Sequence, residues 1–130
     1  MTKWYEKYLN LPYQKYNCAG LLQHVWLKEK GYLLDIESSI DLDSLKEYRN
    51  DFIIGKLSSL SQIDRPRDMC AVVMLSRNVV GHIGIYIDGG YILHAHKDYN
   101  ASIIQSTQDT FLLNPLYGYY NIWMRILQYK

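Results

Sequence analysis

The order of apolar and polar residues predicts a helix early in the chain and strands later. Between residues 17 and 30, apolar or small side chains recur at spacings of three and four, which is typical of one buried helix face. Asn17 is a favourable N-cap, and Gly31 lies where a helix commonly ends in the left-handed conformation. A second, more polar helix is predicted at residues 41–50. Residues 57–68, rich in Ser, Asp and Pro, are predicted to form a loop.

After residue 68 the pattern changes to short apolar segments separated by Gly, Asn and Pro, which predicts strands. The predicted strands are residues 70–76, 80–87, 91–96, 101–106 and 119–127. Helices followed by closely spaced strands indicate an α+β fold, with N-terminal helices packed on a central antiparallel sheet of about five strands. With 130 residues, the chain is predicted to be a single domain spanning residues 1–130.

Along the predicted strand 80–87, His82, Gly84 and Tyr86 alternate with three isoleucines. The isoleucine face is expected to be core, because alternate residues of a strand point to opposite faces. On the other face, we expect Gly84 to leave room for a helix end to approach His82. This arrangement would suit a catalytic histidine.

The connection to the next strand determines where its histidines lie. A two-residue turn would place His94 opposite Ile85, on the core face. A three-residue loop at residues 88–90 would place His94 diagonal to His82 and His96 directly opposite it. Cooperating histidines therefore require a loop with an odd number of residues. Strand geometry leaves both His94 and His96 open as the partner of His82.

Composition argues against several classes of partner. Lys and Arg total 14 and Asp and Glu total 13, so the net charge is +1, and the charges are scattered. This argues against a nucleic-acid or anionic-membrane partner. The 13 tyrosines are explained more simply by β-structure than by a binding groove. With no apolar segment of membrane-spanning length and no signal peptide, we expect synthesis in the cytoplasm and export, if any, by a route other than Sec.

The two cysteines are predicted to remain reduced, because no signal peptide points to an oxidising compartment. Cys70 lies in an apolar segment and is expected to be a small buried hydrophobic residue. Cys18 lies in the first turn of the predicted helix, and a helix N-terminus and a nearby imidazolium both favour a nucleophilic thiolate. A merely buried Cys18 is the alternative, but His82 beside a glycine favours the catalytic interpretation.

Three motifs resemble those of the NlpC-type papain-like cysteine peptidases, a family of bacterial and phage cell-wall endopeptidases. They are residues 17–22, 81–87 and 92–95, which contain Asn-Cys-Ala-Gly-Leu-Leu, Gly-His-Ile-Gly-Ile-Tyr-Ile and Ile-Leu-His-Ala. Their order agrees with the family, and Pro-Arg-Asp at residues 66–68 is similar to the family's Pro-Gly-Asp before its first core strand. The resemblance covers residues 11–105.

The resemblance implies that Cys18 is the nucleophile, that His82 is the base and that His94 orients His82. The candidate substrate-binding residues are Tyr13, Tyr16, Gly84 and His96. The implied activity is hydrolysis of peptide bonds in peptidoglycan stem peptides, with no metal and no cofactor. The implied setting is a phage tail or a secreted antibacterial effector, with a tail, lysis or secretion system delivering the protein to the cell wall.

Some residues depart from the family's pattern. Asn17 and Ala19 stand where the family has Asp and Ser, and Arg67 replaces a Gly. Asn17 still caps the helix, and loss of a carboxylate does not oppose a thiolate. The altered motif leaves open a non-catalytic tail or cell-wall-binding module of the same fold. A thiol acyltransferase of the lecithin-retinol-acyltransferase type shares Asn-Cys, but its histidine precedes the cysteine. His94 and His96 lack the further ligands of a metal site.

Overall fold

The computed structural model describes residues 3–34, 60–76 and 78–121. Its elements are a short 3₁₀ helix (Glu6–Tyr8), helix α1 (Cys18–Lys30), strands β1 (Ser61–Ile63), β2 (Ala71–Ser76), β3 (Val79–Ile87), β4 (Tyr91–His96) and β5 (Ala101–Ser106), helix α2 (Thr107–Leu113) and strand β6 (Leu116–Asn121). The fold is α+β, as predicted. The helix predicted at residues 41–50 lies outside the described residues. No helix in the described part of the chain is long and apolar enough to span a membrane.

Six strands form one antiparallel sheet in the order β1-β6-β2-β3-β4-β5. The sixth strand is β1, within a segment that the sequence predicted to be a loop. That prediction is wrong for Ser61–Ile63, which pairs with the end of β6. A strand of three residues is too short to show an alternating pattern, and its pairing depends on a distant part of the chain. Strand β6 begins at Leu116, before the predicted residue 119, and residues 122–127 lie outside the described residues.

Helix α1 begins and ends where the sequence predicts. The side chain of Asn17 accepts a hydrogen bond from the backbone N–H of Gly20 at 2.9 Å, which satisfies one of the donors left open at a helix start. At the other end, Gly31 has φ 63°, and its N–H donates to the carbonyl of Leu27. This left-handed conformation is accessible to glycine without strain. Both ends of α1 are thus fixed by local chemistry.

The sheet is packed on both faces. On one face, α1 packs against β3 and β4 and joins a hydrophobic cluster that contains Ile83, Ile85 and Ile87. The isoleucine face is therefore core, as predicted. A second cluster comprises Cys70, Val72, Met74, Tyr86 and Ile92. Burial of apolar area on both faces is the main stabilising contribution expected for such a sheet.

Helix α2 was not predicted from the sequence. It follows β5 directly, and the hydroxyl of its N-cap, Ser106, accepts from the backbone N–H of Asp109 at 3.2 Å. Phe111 packs this short helix against the second cluster. The Ser-x-x-Asp sequence is a helix-start signal that could have revealed α2.

Candidate active site

The hairpin between β3 and β4 sets the register of the histidines. Ile87 pairs with Tyr91, so residues 88–90 form a three-residue loop, and the predicted odd loop is confirmed. Gly89 and Gly90 have φ 104° and 96°, a region that favours glycine. The loop thus brings alternate residues of β3 and β4 onto a common face.

Asp68, from the Pro-Arg-Asp motif, anchors this hairpin. Its carboxylate accepts from the backbone N–H of Asp88 at 2.8 Å and from the indole N–H of Trp4 at 2.9 Å. The motif therefore connects the start of the chain and the lead into β2 with the loop that positions the histidines.

His82 and His94 form a hydrogen-bonded pair. Nε2 of His82 lies 2.8 Å from Nδ1 of His94, and the ring planes are inclined by 78°. His94 is only 1% exposed. Burial lowers the pKa of His94 to about 4, although its hydrogen bond to Gln105 acts in the opposite direction and the charge of His96 lowers the pKa further. His94 is therefore neutral at physiological pH, with one N–H donor and one acceptor nitrogen.

His96 is bonded within its own turn. Its Nδ1 accepts from the backbone N–H of Asp98 at 3.2 Å, and its ring lies against Tyr99 with centroids 4.7 Å apart. Of the two histidines that strand geometry left open, His94 is thus the one for which the structure gives a hydrogen bond to His82. Within residues 3–34, 60–76 and 78–121, no group of three or more potential metal ligands converges.

Gln105, which the sequence analysis did not single out, extends the pair. Its Oε1 lies 2.8 Å from Nε2 of His94. In β5, Ile103 pairs with His94, and Gln105 lies two residues further on and on the same face. Its face depends on the register between β4 and β5, which a local sequence pattern does not determine. The signal that was available is the short connection at residues 97–100, which favours an antiparallel pairing of the two strands.

The structure corrects the expectation that Gly84 keeps its face of the strand open. A Cβ atom at Gly84 would lie 2.5 Å from Cγ2 of Ile92 and 3.3 Å from Cβ of His94. These β4 side chains occupy the space, and Gly84 is buried; substrate binding by Gly84 stays a prediction. The apolar face of α1 packs on the isoleucines, because two apolar faces bury each other. The glycine allows His94 to lie close to β3.

Cys18 is the first residue of α1, in the first turn as predicted, and is 5% exposed. Because α1 packs against β3 and β4, Cys18 begins a helix that lies on the two strands carrying His82 and His94. The start of a helix presents backbone N–H groups without intrahelical partners and a partial positive charge, which favour an anion. This position suits a nucleophilic thiolate.

Cys70 has a contrasting environment. It is fully buried in the second cluster, and burial raises the pKa of its thiol to about 11. The hydrogen bond from the backbone N–H of Cys70 to the carbonyl of Arg67 holds it at the start of β2. The predicted role of a small hydrophobic residue is confirmed. The two cysteines are not joined by a disulfide.

Tyr13 and Tyr16 lie in the segment before Cys18, and both are half-buried against the core. The Tyr16 ring packs on that of His24, with centroids 4.7 Å apart. The backbone N–H of Tyr13 donates to the carbonyl of Asn100 at 3.3 Å, which joins this segment to the start of β5. Substrate binding by the two tyrosines stays a prediction.

Comparison with known proteins identifies the fold. No protein-family model matches the sequence, and no curated protein matches it. Among solved structures, the chain is similar to the NlpC/p60 domain of the peptidoglycan hydrolase SagA, with a TM-score of 0.59 and 15% sequence identity. The two chains share a fold. The match covers 92% of this chain and 93% of the other, so the NlpC-type architecture expected from the motifs is confirmed.

Proposed function

We propose that the chain is a cysteine peptidase that hydrolyses peptide bonds in the stem peptides of peptidoglycan. The observation that carries the proposal is the 2.8 Å hydrogen bond between His82 and the buried, neutral His94. The pair lies on the strands against which α1, begun by Cys18, is packed. The NlpC/p60 fold, present in a peptidoglycan hydrolase, supports this class of substrate.

The proposed mechanism is acyl transfer to water. The thiolate of Cys18 attacks the carbonyl carbon of the peptide bond, a C–S bond forms, and His82 delivers a proton to the leaving amine as the C–N bond breaks. Water then attacks the thioester, gives a proton to His82, and releases the acid and the thiolate. His94 holds the His82 ring, and backbone N–H groups at the start of α1 stabilise the oxyanion.

Digestion of defined muropeptides, followed by mass spectrometry, tests the proposal. We expect the wild-type protein to cleave one peptide bond and Cys18→Ala to lose at least about a thousandfold in rate, because the nucleophile is gone. Cys70→Ala is the matched control, since it removes the other buried thiol, and it should keep its activity. Cleavage by Cys18→Ala at the wild-type rate would exclude Cys18 as the nucleophile.

Alkylation rates test whether Cys18 and His82 act together. Near neutral pH, Cys18 should react with iodoacetamide faster than cysteine in solution does, and His82→Gln should slow it, because an imidazolium favours the thiolate. Cys70 provides an internal slow thiol, since burial raises its pKa to about 11. A Cys18 that reacts no faster than cysteine in solution would remove the main support for catalysis.

The proposed place of action follows from the substrate, because a stem-peptide hydrolase must reach the cell wall. We propose delivery by a phage tail, a lysis system or a secretion system. Fusion to an export signal tests the location: exported wild-type protein should lyse a bacterial host, whereas exported Cys18→Ala should not. Protein that binds purified cell walls but releases no peptide would instead be a binding module. Transfer of the acyl group to an added amine, without hydrolysis, would indicate an acyltransferase.

A further inference from the structure

We infer that Gln105 is a positioning residue of the histidine pair: its amide oxygen selects the tautomer of His94 and, through His94, that of His82. The inference rests on the proposed function, in which His82 is the base. Gln105 is assigned no contact with the reacting atoms. It would act by fixing which ring nitrogen of each histidine carries a proton.

The direction of the hydrogen bonds follows from the atoms that face each other. The amide oxygen of Gln105 only accepts, so Nε2 of His94, 2.8 Å away, donates its N–H. A neutral imidazole has one N–H, which leaves Nδ1 of His94 as an acceptor. The N–H at Nε2 of His82, 2.8 Å from this nitrogen, donates to it. Neutral His82 therefore keeps its lone pair on Nδ1, the nitrogen that is not bonded to His94.

The neutrality of His94 makes this selection necessary. A buried imidazole with a pKa of about 4 does not carry a second proton at physiological pH. Without an acceptor at Nε2, His94 could take the opposite tautomer and donate from Nδ1 to Nε2 of His82. His82 would then carry its proton on Nδ1, the nitrogen whose lone pair must accept a proton in the proposed mechanism. In the part of the chain that the structure describes, the titratable groups whose rings lie against His94 are His82 and His96. Strand β5 contributes the uncharged Gln105, so the selection works through hydrogen-bond direction.

Contacts of the residues before and after Gln105 hold its backbone in place. Before it, Ile103 is paired with His94 in the sheet. After it, Ser106 caps α2, and the backbone N–H of Thr107 donates to the carbonyl of Gly90 at 2.9 Å. The end of β5 is therefore tied to the same hairpin loop that sets the histidine register. The Gln105 side chain starts from a backbone position that is held relative to His94.

Steady-state kinetics on a defined muropeptide test the role. Gln105→Leu removes the acceptor at similar size and should lower kcat about tenfold, the loss expected for one buried hydrogen bond, with KM unchanged. Gln105→Glu restores an acceptor oxygen and should recover most of kcat. Gln108→Leu makes the same substitution at an exposed position of α2 and should leave both constants unchanged. A wild-type kcat in Gln105→Leu would overturn the inference.

Nitrogen NMR of the imidazole rings gives a readout that does not need activity. In the wild-type protein, we expect the His94 proton on Nε2; in Gln105→Leu, both tautomers should be populated. A wild-type His94 protonated on Nδ1 would overturn the inference, even if the protein is an active peptidase. If the protein cleaves no muropeptide, the proposed function fails, but the tautomer still decides the role of Gln105. Should Gln105→Leu not fold, Gln105→Asn, whose shorter amide cannot reach His94, should show the same mixture; an unchanged tautomer there would also overturn it.

Discussion

Gly84 and Ile85 are neighbours in β3, yet they belong to opposite faces of the sheet with different physical roles. Ile85 is fully buried in the cluster that includes α1, and it contributes apolar area. Gly84 has no side chain, so Ile92 and His94 can lie close above it. Ile85 stabilises its face by filling space. On the other face, which has an apolar cluster of its own, Gly84 leaves space for a polar group.

The difference explains how His94 can be buried on the face that carries Gly84. An amphipathic helix needs an apolar partner surface, and a polar group placed there without a partner would cost free energy. His94 is buried with both ring nitrogens in hydrogen bonds, to His82 and to Gln105. Hydrogen-bond partners rather than apolar contacts therefore make its burial tolerable.

Truncation of the fully buried Ile85 should have the largest of the expected effects on stability. Ile85→Ala removes a fully buried side chain and should lower the free energy of unfolding by roughly 2 to 5 kcal/mol, because it loses apolar burial and leaves a cavity. Urea denaturation followed by circular dichroism measures the change. Ile103→Ala is the matched control, since Ile103 is half-buried, and its loss should be clearly smaller. Equal losses at the two positions would show that the burial of Ile85 does not set the cost of its truncation.

On the other face, acid should destabilise the protein through His94. Its pKa is lowered by burial from 6.5 to about 4, so below pH 6.5 the unfolded state binds more protons than the folded state. The free energy of unfolding should therefore fall by roughly 3 kcal/mol as pH falls from 6.5 to about 4. Below that range, protonation of His94 should cause no further loss of stability. Urea unfolding at a series of pH values measures the slope.

Two variants isolate the contribution of His94 to this slope. His94→Asn should remove it, whereas His96→Asn should retain it. Burial, together with the charges of Lys28 and Lys15, also lowers the pKa of His24, so His24 adds a slope of the same sign. For this reason the difference between wild type and His94→Asn is the informative quantity. An identical slope in these two proteins would show that His94 is not held neutral by the fold.

The parts of this structure that sequence could predict have local signals. The cap at Asn17 and the glycine at Gly31 bound α1, and alternation identifies β3. The requirement for an odd loop followed from placing His82 and His94 on one face, and the structure has that loop. In each case the relevant residues are near in sequence, so period and turn chemistry are sufficient.

The parts that sequence could not predict depend on pairing between distant segments. Strand β1 is defined by its partner β6, and Gln105 reaches His94 only because of the register between β4 and β5. The expectation that Gly84 keeps its face of the strand open was wrong for a related reason. A glycine indicates that another element lies close, but it does not identify that element. The atoms nearest to the Cβ position of Gly84 belong to β4.

Filling the space at Gly84 should have a smaller effect on stability, but it should also disturb the hydrogen bond between His82 and His94. In Gly84→Ala, the new Cβ would lie 2.5 Å from Cγ2 of Ile92 and 3.3 Å from Cβ of His94, so β4 must shift. We expect a loss of about 1 to 3 kcal/mol in the free energy of unfolding, typical of overpacking. The 2.8 Å bond between His82 and His94 should lengthen, and the proposed peptidase activity should fall with it.

A double-mutant cycle separates crowding from other effects of this substitution. Ile92→Leu moves the branch from Cβ to Cγ and removes the methyl group that meets the new Cβ of Gly84→Ala. If crowding causes the loss, the two substitutions together should cost less than the sum of their separate costs, because residues in contact couple.

Gly31→Ala is a useful comparison: no atom lies within 4 Å of its new Cβ, so its cost arises from φ 63° alone. It should destabilise the protein without changing the nitrogen NMR signals of His82 and His94. Strictly additive costs at Gly84 and Ile92 would mean that the substitution acts through the backbone of Gly84. That result would contradict the proposal that Gly84 is needed to leave space for His94.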